Sequence, residues 1–93
     1  MLITYNSAKN QRNVALRSLS FDQVIEFDFE TAMIAADNRK DYGEVRYNAL
    51  GYLGERLHVL CFTMTEQGIR VISFRKANKR EVIRYDQTHK INR

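Results

Sequence analysis

Ile69-Arg70-Val71-Ile72-Ser73-Phe74-Arg75-Lys76-Ala77-Asn78-Lys79-Arg80-Glu81 opens as a β-rich run and passes into a basic segment with helical character. Arginines emerging from a strand are held rigidly, and a helix that follows directly adds more positive charge. That layout suits a polyanion such as RNA. From Arg70 to Arg93 eight Lys or Arg stand against Glu81 and Asp86, a charge of +6, whereas Met1 to Ile69 carries seven basic and nine acidic residues, or −2. The formal +4 of the whole chain hides this asymmetry.

Strand-like runs recur from Val45 to Leu53, Leu57 to Thr65 and Ile69 to Arg75. Gly54-Glu55 and Gln67-Gly68 sit between them where hairpin turns are needed, and glycine tolerates the positive φ such turns demand. Sequential hairpins imply a largely antiparallel meander. Upstream, Thr31 to Ala36 reads as a further strand, followed by the polar turn Asp37 to Gly43. Ile3-Thr4-Tyr5 makes a short strand, and Asn6 or Ser7 caps a helix running from near Ala8 to near Arg17. Ser20-Phe21-Asp22-Gln23 has capping-box spacing and starts a second helix, with Phe21, Val24 and Ile25 on one face. The last element, Lys76 to about His89, reads as a helix with Ala77, Val82, Ile83 and Tyr85 as an incomplete apolar face and Glu81 paired to Arg84 or Tyr85. The expected fold is therefore α+β: a short strand, two amino-terminal helices, a twisted, mainly antiparallel sheet and a carboxy-terminal helix, with the helices covering one face of the sheet.

At 93 residues the chain is expected to form one domain, and 44% hydrophobic residues with ten aromatics argue for a packed core over disorder. Cys61 has no partner in the chain and lies in the apolar run Leu57 to Phe62, which reads as a buried small hydrophobe in a reducing compartment. The amino terminus lacks the basic and long apolar regions of a signal peptide, and no window approaches a membrane span. A cytoplasmic location without membrane contact is expected.

Two constellations could carry chemistry. Arg46, Arg56, Arg70 and Arg75 each lie at or near a proposed strand. Guanidinium groups bind phosphate through paired hydrogen bonds and stay charged, so they suit a pentacovalent phosphate transition state. The bland alternative is a solvated basic surface with a few salt bridges. The second is the charge-dense stretch Asp37 to Arg46. On a strand Glu44 and Arg46 share a face, so the acid could orient the arginine or act as a general base; a charged surface turn is the alternative. His58 stands alone between Leu57 and Val59, which favours a structural histidine, and nothing supports a catalytic role for His89. Cys61, His58 and His89 lack metal-ligand spacing, and the acids are scattered. Phosphate-binding loops, nucleophile elbows, cysteine-pair motifs, helix-turn-helix patterns and RNA-recognition aromatic signatures are absent.

Several segments in order along nearly the whole chain resemble the BrnT family of bacterial toxins, ribonucleases of the RelE-like superfamily encoded beside a BrnA antitoxin. They are Tyr5 to Lys9 with Asn13 and Ser20-Phe21; Asp37-Asn38-Arg39 with Asp41 to Glu44 and Arg46; Gly51 to Gly54 with Arg56-Leu57; and Ile69-Arg70 through Ser73, Arg75 to Ala77, Arg80-Glu81 and Tyr85. The resemblance implies a compact α+β endoribonuclease that cleaves RNA without metal or organic cofactor, so inhibiting translation. It also implies neutralisation by a small BrnA-like antitoxin, paired two with two, which carries the only DNA contact. The chain departs from the family pattern at Leu16-Arg17-Ser18, where Lys-His-Gly is usual, at Tyr5-Asn6, where Trp-Asp is usual, and at Phe74, where a small residue is usual. Phe74 is expected to narrow or fill any groove beside it.

The resulting expectation is that Arg70 and Arg75 clamp the scissile phosphate, Arg46 and Lys76 add charge stabilisation, and Glu44 is the base. Arg56, Lys79, Arg80 and Lys9, with Lys76, make up the RNA-binding set. The rivals are a catalytically inactive module that binds antitoxin and helps repress transcription, and a ParE-like inhibitor of gyrase.

Overall fold

Residues 1–91 are described by a computed structural model. Strand β1 (Leu2–Tyr5) leads into helix α1 (Ser7–Arg17) and a 3₁₀ helix (Phe21–Glu26); β2 (Met33–Ala36), β3 (Tyr47–Leu53), β4 (Arg56–Met64) and β5 (Gly68–Lys76) follow, and α2 (Lys79–Ile91) closes the chain. The five strands form one sheet in the order β1-β5-β4-β3-β2. The meander β2 to β5 is antiparallel as expected, but β1 runs parallel to β5, so the sheet is mixed.

The two turn glycines divide their work. Gly54 takes φ +61° between β3 and β4, the positive φ expected of it. Gly68 does not; it begins β5, and an added Cβ there would meet the backbone of Leu2. Its bare Cα lets β1 lie against β5, where Leu2 and Gly68 are register partners.

The second expected helix is a 3₁₀ helix. Its capping box forms as the spacing predicts, with Ser20 Oγ accepting from the Asp22 amide at 3.1 Å and Gln23 Oε1 accepting from the Ser20 amide at 3.1 Å. Three residues per turn align Phe21, Val24 and Phe27 inward, all buried, and Ile25 is left 64% exposed instead of joining them. Phe27 ends the helix because its backbone bridges to Leu53.

Helix α1 is held mainly by amide side chains. The Asn13 side chain, buried, donates to Leu19 O at 2.9 Å and to Phe74 O at 3.0 Å, and Asn10 Oδ1 accepts from the Phe21 amide at 2.8 Å. Asn6 caps its start, accepting from the Lys9 amide at 3.0 Å. Its end turns on Ser18 at φ +53°, a left-handed conformation that a side chain disfavours. Ser18→Gly is therefore expected to stabilise the fold by about 1 kcal/mol, read as a rise in the midpoint of thermal unfolding; an unchanged or lower midpoint would contradict it.

Apolar residues pack on both faces of the sheet. Leu19, Phe21, Val24 and Phe27 join Ala49, Leu60, Phe62, Val71 and Phe74 on one face, while Leu50, Leu57, Ala77 and Tyr85 gather on the other, under α2. The expectation that all helices cover one face is thus corrected: α2 lies opposite α1. The run Leu57 to Phe62, apolar except for His58, reflects a strand buried on both sides. Helix α2 also starts later than expected, because β5 runs through Lys76 and the Ala77 amide still bonds to Leu57 O at 2.9 Å. Asn78 and Glu81 then cap each other reciprocally, each amide donating to the other's side chain at 2.9 Å. Ile83, assigned to the apolar face of α2, is 56% exposed.

Candidate functional site

Arg70 and Arg75 stand five positions apart on β5, an odd spacing that sends side chains to opposite faces of a regular strand. A β-bulge reverses this. Cys61 pairs with Ser73 but Phe62 pairs with Val71, which leaves Ile72 as an extra residue. Arg75 then lies opposite Val59 and Arg70 opposite Thr63, four residues apart on β4, so both arginines emerge on the α2 face. Their Cα atoms are separated by about 13 Å, four strand steps of about 3.3 Å each.

A groove of about 910 Å³ crosses this face from β2 to the first turns of α2, and its charged rim includes Asp37, Arg39, Arg46, Arg75, Glu81 and Arg84. Arg46 enters it from the residue before β3. Its guanidinium lies 4.2 Å from the centroid of the Tyr42 ring, and its Nε is buried without a hydrogen-bond partner among the described residues.

Three carboxylates organise the cations. Glu44 accepts from Arg70 Nη2 at 2.7 and 2.8 Å and lies 3.9 Å from Arg46 Nε, so it ties the two arginines together. The expected Glu44–Arg46 association is present but loose, because β3 begins only at Tyr47 and residues 44–46 are not strand. Glu81 forms a fork with Arg75 at 2.8 and 2.9 Å instead of pairing with Arg84 or Tyr85, since its position in the first turn of α2 turns it back toward β5. The Asp37 side chain, 1% exposed, accepts from Arg39 at 2.8 Å through two nitrogens and from Tyr42 Oη at 3.1 Å. These bonds, Arg39 first, hold its carboxyl well below the usual carboxylate range. Asp37 thereby anchors the loop that presents Tyr42 to Arg46.

The Arg75 fork also depresses the Glu81 carboxyl below its ordinary value of 4.5. A carboxyl that ionises more readily folded than unfolded contributes stability that is complete above that ordinary value and is lost as pH falls through the lower folded-state pKa. Urea unfolding of the protein and of Glu81→Gln should therefore differ most near neutral pH and converge in acid. A gap that widens in acid would contradict this assignment.

The sequence-derived residues separate into groups. Glu44, Arg46 and Arg70 meet directly, and Arg75 shares the groove with Arg46. Lys76 follows Arg75 and is exposed on the opposite face, in register with His58. Arg56 lies at the exposed start of β4, and Lys79 and Arg80 are exposed in the first turn of α2, outside the groove lining. Lys9 is exposed on α1. His58 is buried with Nδ1 2.8 Å from Arg56 O and its ring 5.2 Å from that of Phe74. Burial lowers its pKa, keeping it neutral on the face away from the groove. The Cys61 thiol is buried and pushed up by desolvation, the reverse of an activated nucleophile. Phe74, expected to crowd the groove, instead points into the opposite core with 0% exposure.

Arg39, Tyr42 and Arg84 were missed as groove residues. The first two lay in a stretch already noted for its charge, and Asn78-x-x-Glu81, read as a cap, would have placed Arg84 one turn above the Glu81 fork. Among the described residues no helix is long and apolar enough to cross a membrane, and no group of three or more His, Cys, Asp or Glu could hold a metal ion.

Compared with known families, residues 5–81 match the one described as the ribonuclease toxin, BrnT, of type II toxin-antitoxin systems. No curated protein matches the chain. The matched residues run from the end of β1 to Glu81 and contain Glu44, Arg46, Arg70 and Arg75, leaving only the groove contribution of Arg84 beyond them. The chain belongs to the BrnT family of ribonuclease toxins of type II toxin-antitoxin systems.

Proposed function

We propose that this chain is a RelE-like endoribonuclease toxin that cuts RNA in the cytoplasm without a metal or organic cofactor and is silenced by a BrnA-like antitoxin in a complex of two toxins with two antitoxins. The observation that carries this reading is the bulge in β5, which brings Arg70 and Arg75 to the same face as Arg46.

RNA brings its own nucleophile. The 2′-hydroxyl attacks the adjacent phosphorus, its proton passes to a base, and the P–O5′ bond breaks as the leaving oxygen gains a proton. The products are a 2′,3′-cyclic phosphate and a 5′-hydroxyl. The protein's task is to position the phosphate and neutralise the charge that builds on its oxygens. Arg75 and Arg46 meet the scissile phosphate in the groove. Arg70, about 13 Å along the strand from Arg75, holds a neighbouring phosphate, so the expected two-arginine clamp becomes a pair of successive grips. Glu44 is the base, the carboxylate nearest to Arg46 and Arg70. Arg56, Lys76, Lys79 and Arg80 extend the positive surface around the end of the sheet. In the free protein Glu81 occupies the Arg75 fork, and the phosphate displaces it.

Purified protein should cut RNA in the presence of a strong chelator, leave cyclic-phosphate and 5′-hydroxyl ends, and stop cutting when co-purified with its antitoxin as a four-chain complex by light scattering. Strict dependence on a divalent ion would sink the mechanism. A folded protein that cuts no RNA but binds the antitoxin would favour a repressor module, and one that blocks gyrase supercoiling would favour the ParE-like activity.

A further inference from the structure

Among the described residues β5 has no strand on its outer side beyond Val71, because β1 stops at Tyr5 and the chain turns away into α1. A cleft of about 190 Å³ lies there between α1 and Ile72-Ser73. Lys9, Arg12 and Arg17 line it from α1. The helix segment Ser7–Arg17 contains no Asp or Glu, and none of these three cations has a carboxylate partner among the described residues. Among the described residues Arg17 makes a single side-chain bond, donating from Nη1 to the uncharged Asn13 Oδ1 at 2.9 Å. Ile72 and Ser73 also line the larger groove, so the two concavities meet at the bulge.

We infer that α1 is a second RNA contact, in which Lys9, Arg12 and Arg17 take phosphates of the strand that leaves the arginine groove over the free edge of β5. This rests on the ribonuclease reading and gives the substrate a direction: across the sheet from Arg46 and Arg75, past Ser73, onto α1. Of these residues only Lys9 was expected from sequence. Arg70 and Arg75 are each engaged by a carboxylate, whereas the α1 cations are open to solvent and lose no ion pair when phosphate arrives. An incoming backbone that leaves the groove over this edge therefore meets positive charge on α1 that no carboxylate already holds. An RNA strand is favoured over an acidic protein because the cleft is small and shares Ile72 and Ser73 with the groove.

The probe is a short single-stranded 2′-O-methyl RNA, which lacks the nucleophile and stays uncut. Its binding by fluorescence anisotropy is followed from low to moderate salt for the protein and for Lys9→Gln/Arg12→Gln, whose exposed side chains hold no part of the fold. Each lost phosphate contact lowers the salt slope of single-strand binding by about 0.7, so the double variant should bind more weakly with a slope smaller by about 1.4. Adding Arg17→Gln should lower it further. An unchanged slope in a protein that still binds and cuts RNA overturns the α1 contact alone. An unchanged slope with loss of antitoxin binding overturns it in favour of a protein partner. A parent protein that binds no RNA overturns the ribonuclease reading together with it.

Discussion

Arg75→Ala is expected to slow RNA cleavage on the order of 10²-fold or more, the loss that follows removal of one preorganised donor to a developing oxyanion. Arg75 is held at 38% side-chain exposure by the Glu81 fork, and hydrogen bonding to Glu81 makes its proton still harder to remove. It therefore presents a permanently charged planar group at the groove, whose fork passes from Glu81 to the phosphate. Arg75→Lys keeps the charge without the fork geometry and should recover only part of the rate. Single-turnover cleavage measured on variants whose circular dichroism matches the parent separates chemistry from folding. An alanine variant that folds and cuts at the parent rate would remove Arg75 from the site.

Phe74→Ala is expected to cost about 3–5 kcal/mol of stability, the range for deleting a buried aromatic side chain and leaving a cavity. Phe74 is 0% exposed; its ring meets that of Phe27 edge-on at 6.1 Å and lies 5.2 Å from His58. Other BrnT-like sequences are expected to carry a small residue at this position, so the substitution would look mild by resemblance. Here the first core is built around the ring. A loss of this size is a large share of a small protein's stability. Urea unfolding gives the value directly, and a cost below about 1 kcal/mol would mean that the surrounding phenylalanines close the gap.

Much of the architecture follows from local chemistry. The strand-like runs within residues 45–75, separated by Gly54-Glu55 and Gln67-Gly68, announce three strands, Gly54 announces a tight turn, and Ser20 to Gln23 announces a capped helical start. Each is decided within a few residues, by backbone preference or by a bond to a near neighbour. What reads poorly is whatever answers to a distant partner. Gly68 looked like a turn glycine because the backbone of Leu2, far away in sequence, is invisible there. The second helix narrowed to 3₁₀ because Phe27 is drawn to Leu53. Glu81 looked like the partner of its own helix, yet Arg75 offers a fork with better geometry than a residue one turn along.

The residue types of the candidate site were legible: arginines, one glutamate between two of them, and an excess of positive charge toward the carboxy-terminal end. Their arrangement was not. Counted along a regular strand, Arg70 and Arg75 fall on opposite faces, and only the pairing of β5 with β4 inserts Ile72 and turns both to the α2 face. Sequence by itself therefore determined which strands and helices form, the family and the charge available for RNA, because these depend on composition and short-range order. The tertiary structure alone decided which arginines share a face, which carboxylates hold them and where α1 meets the sheet, because those depend on register and on contacts between residues remote in the chain.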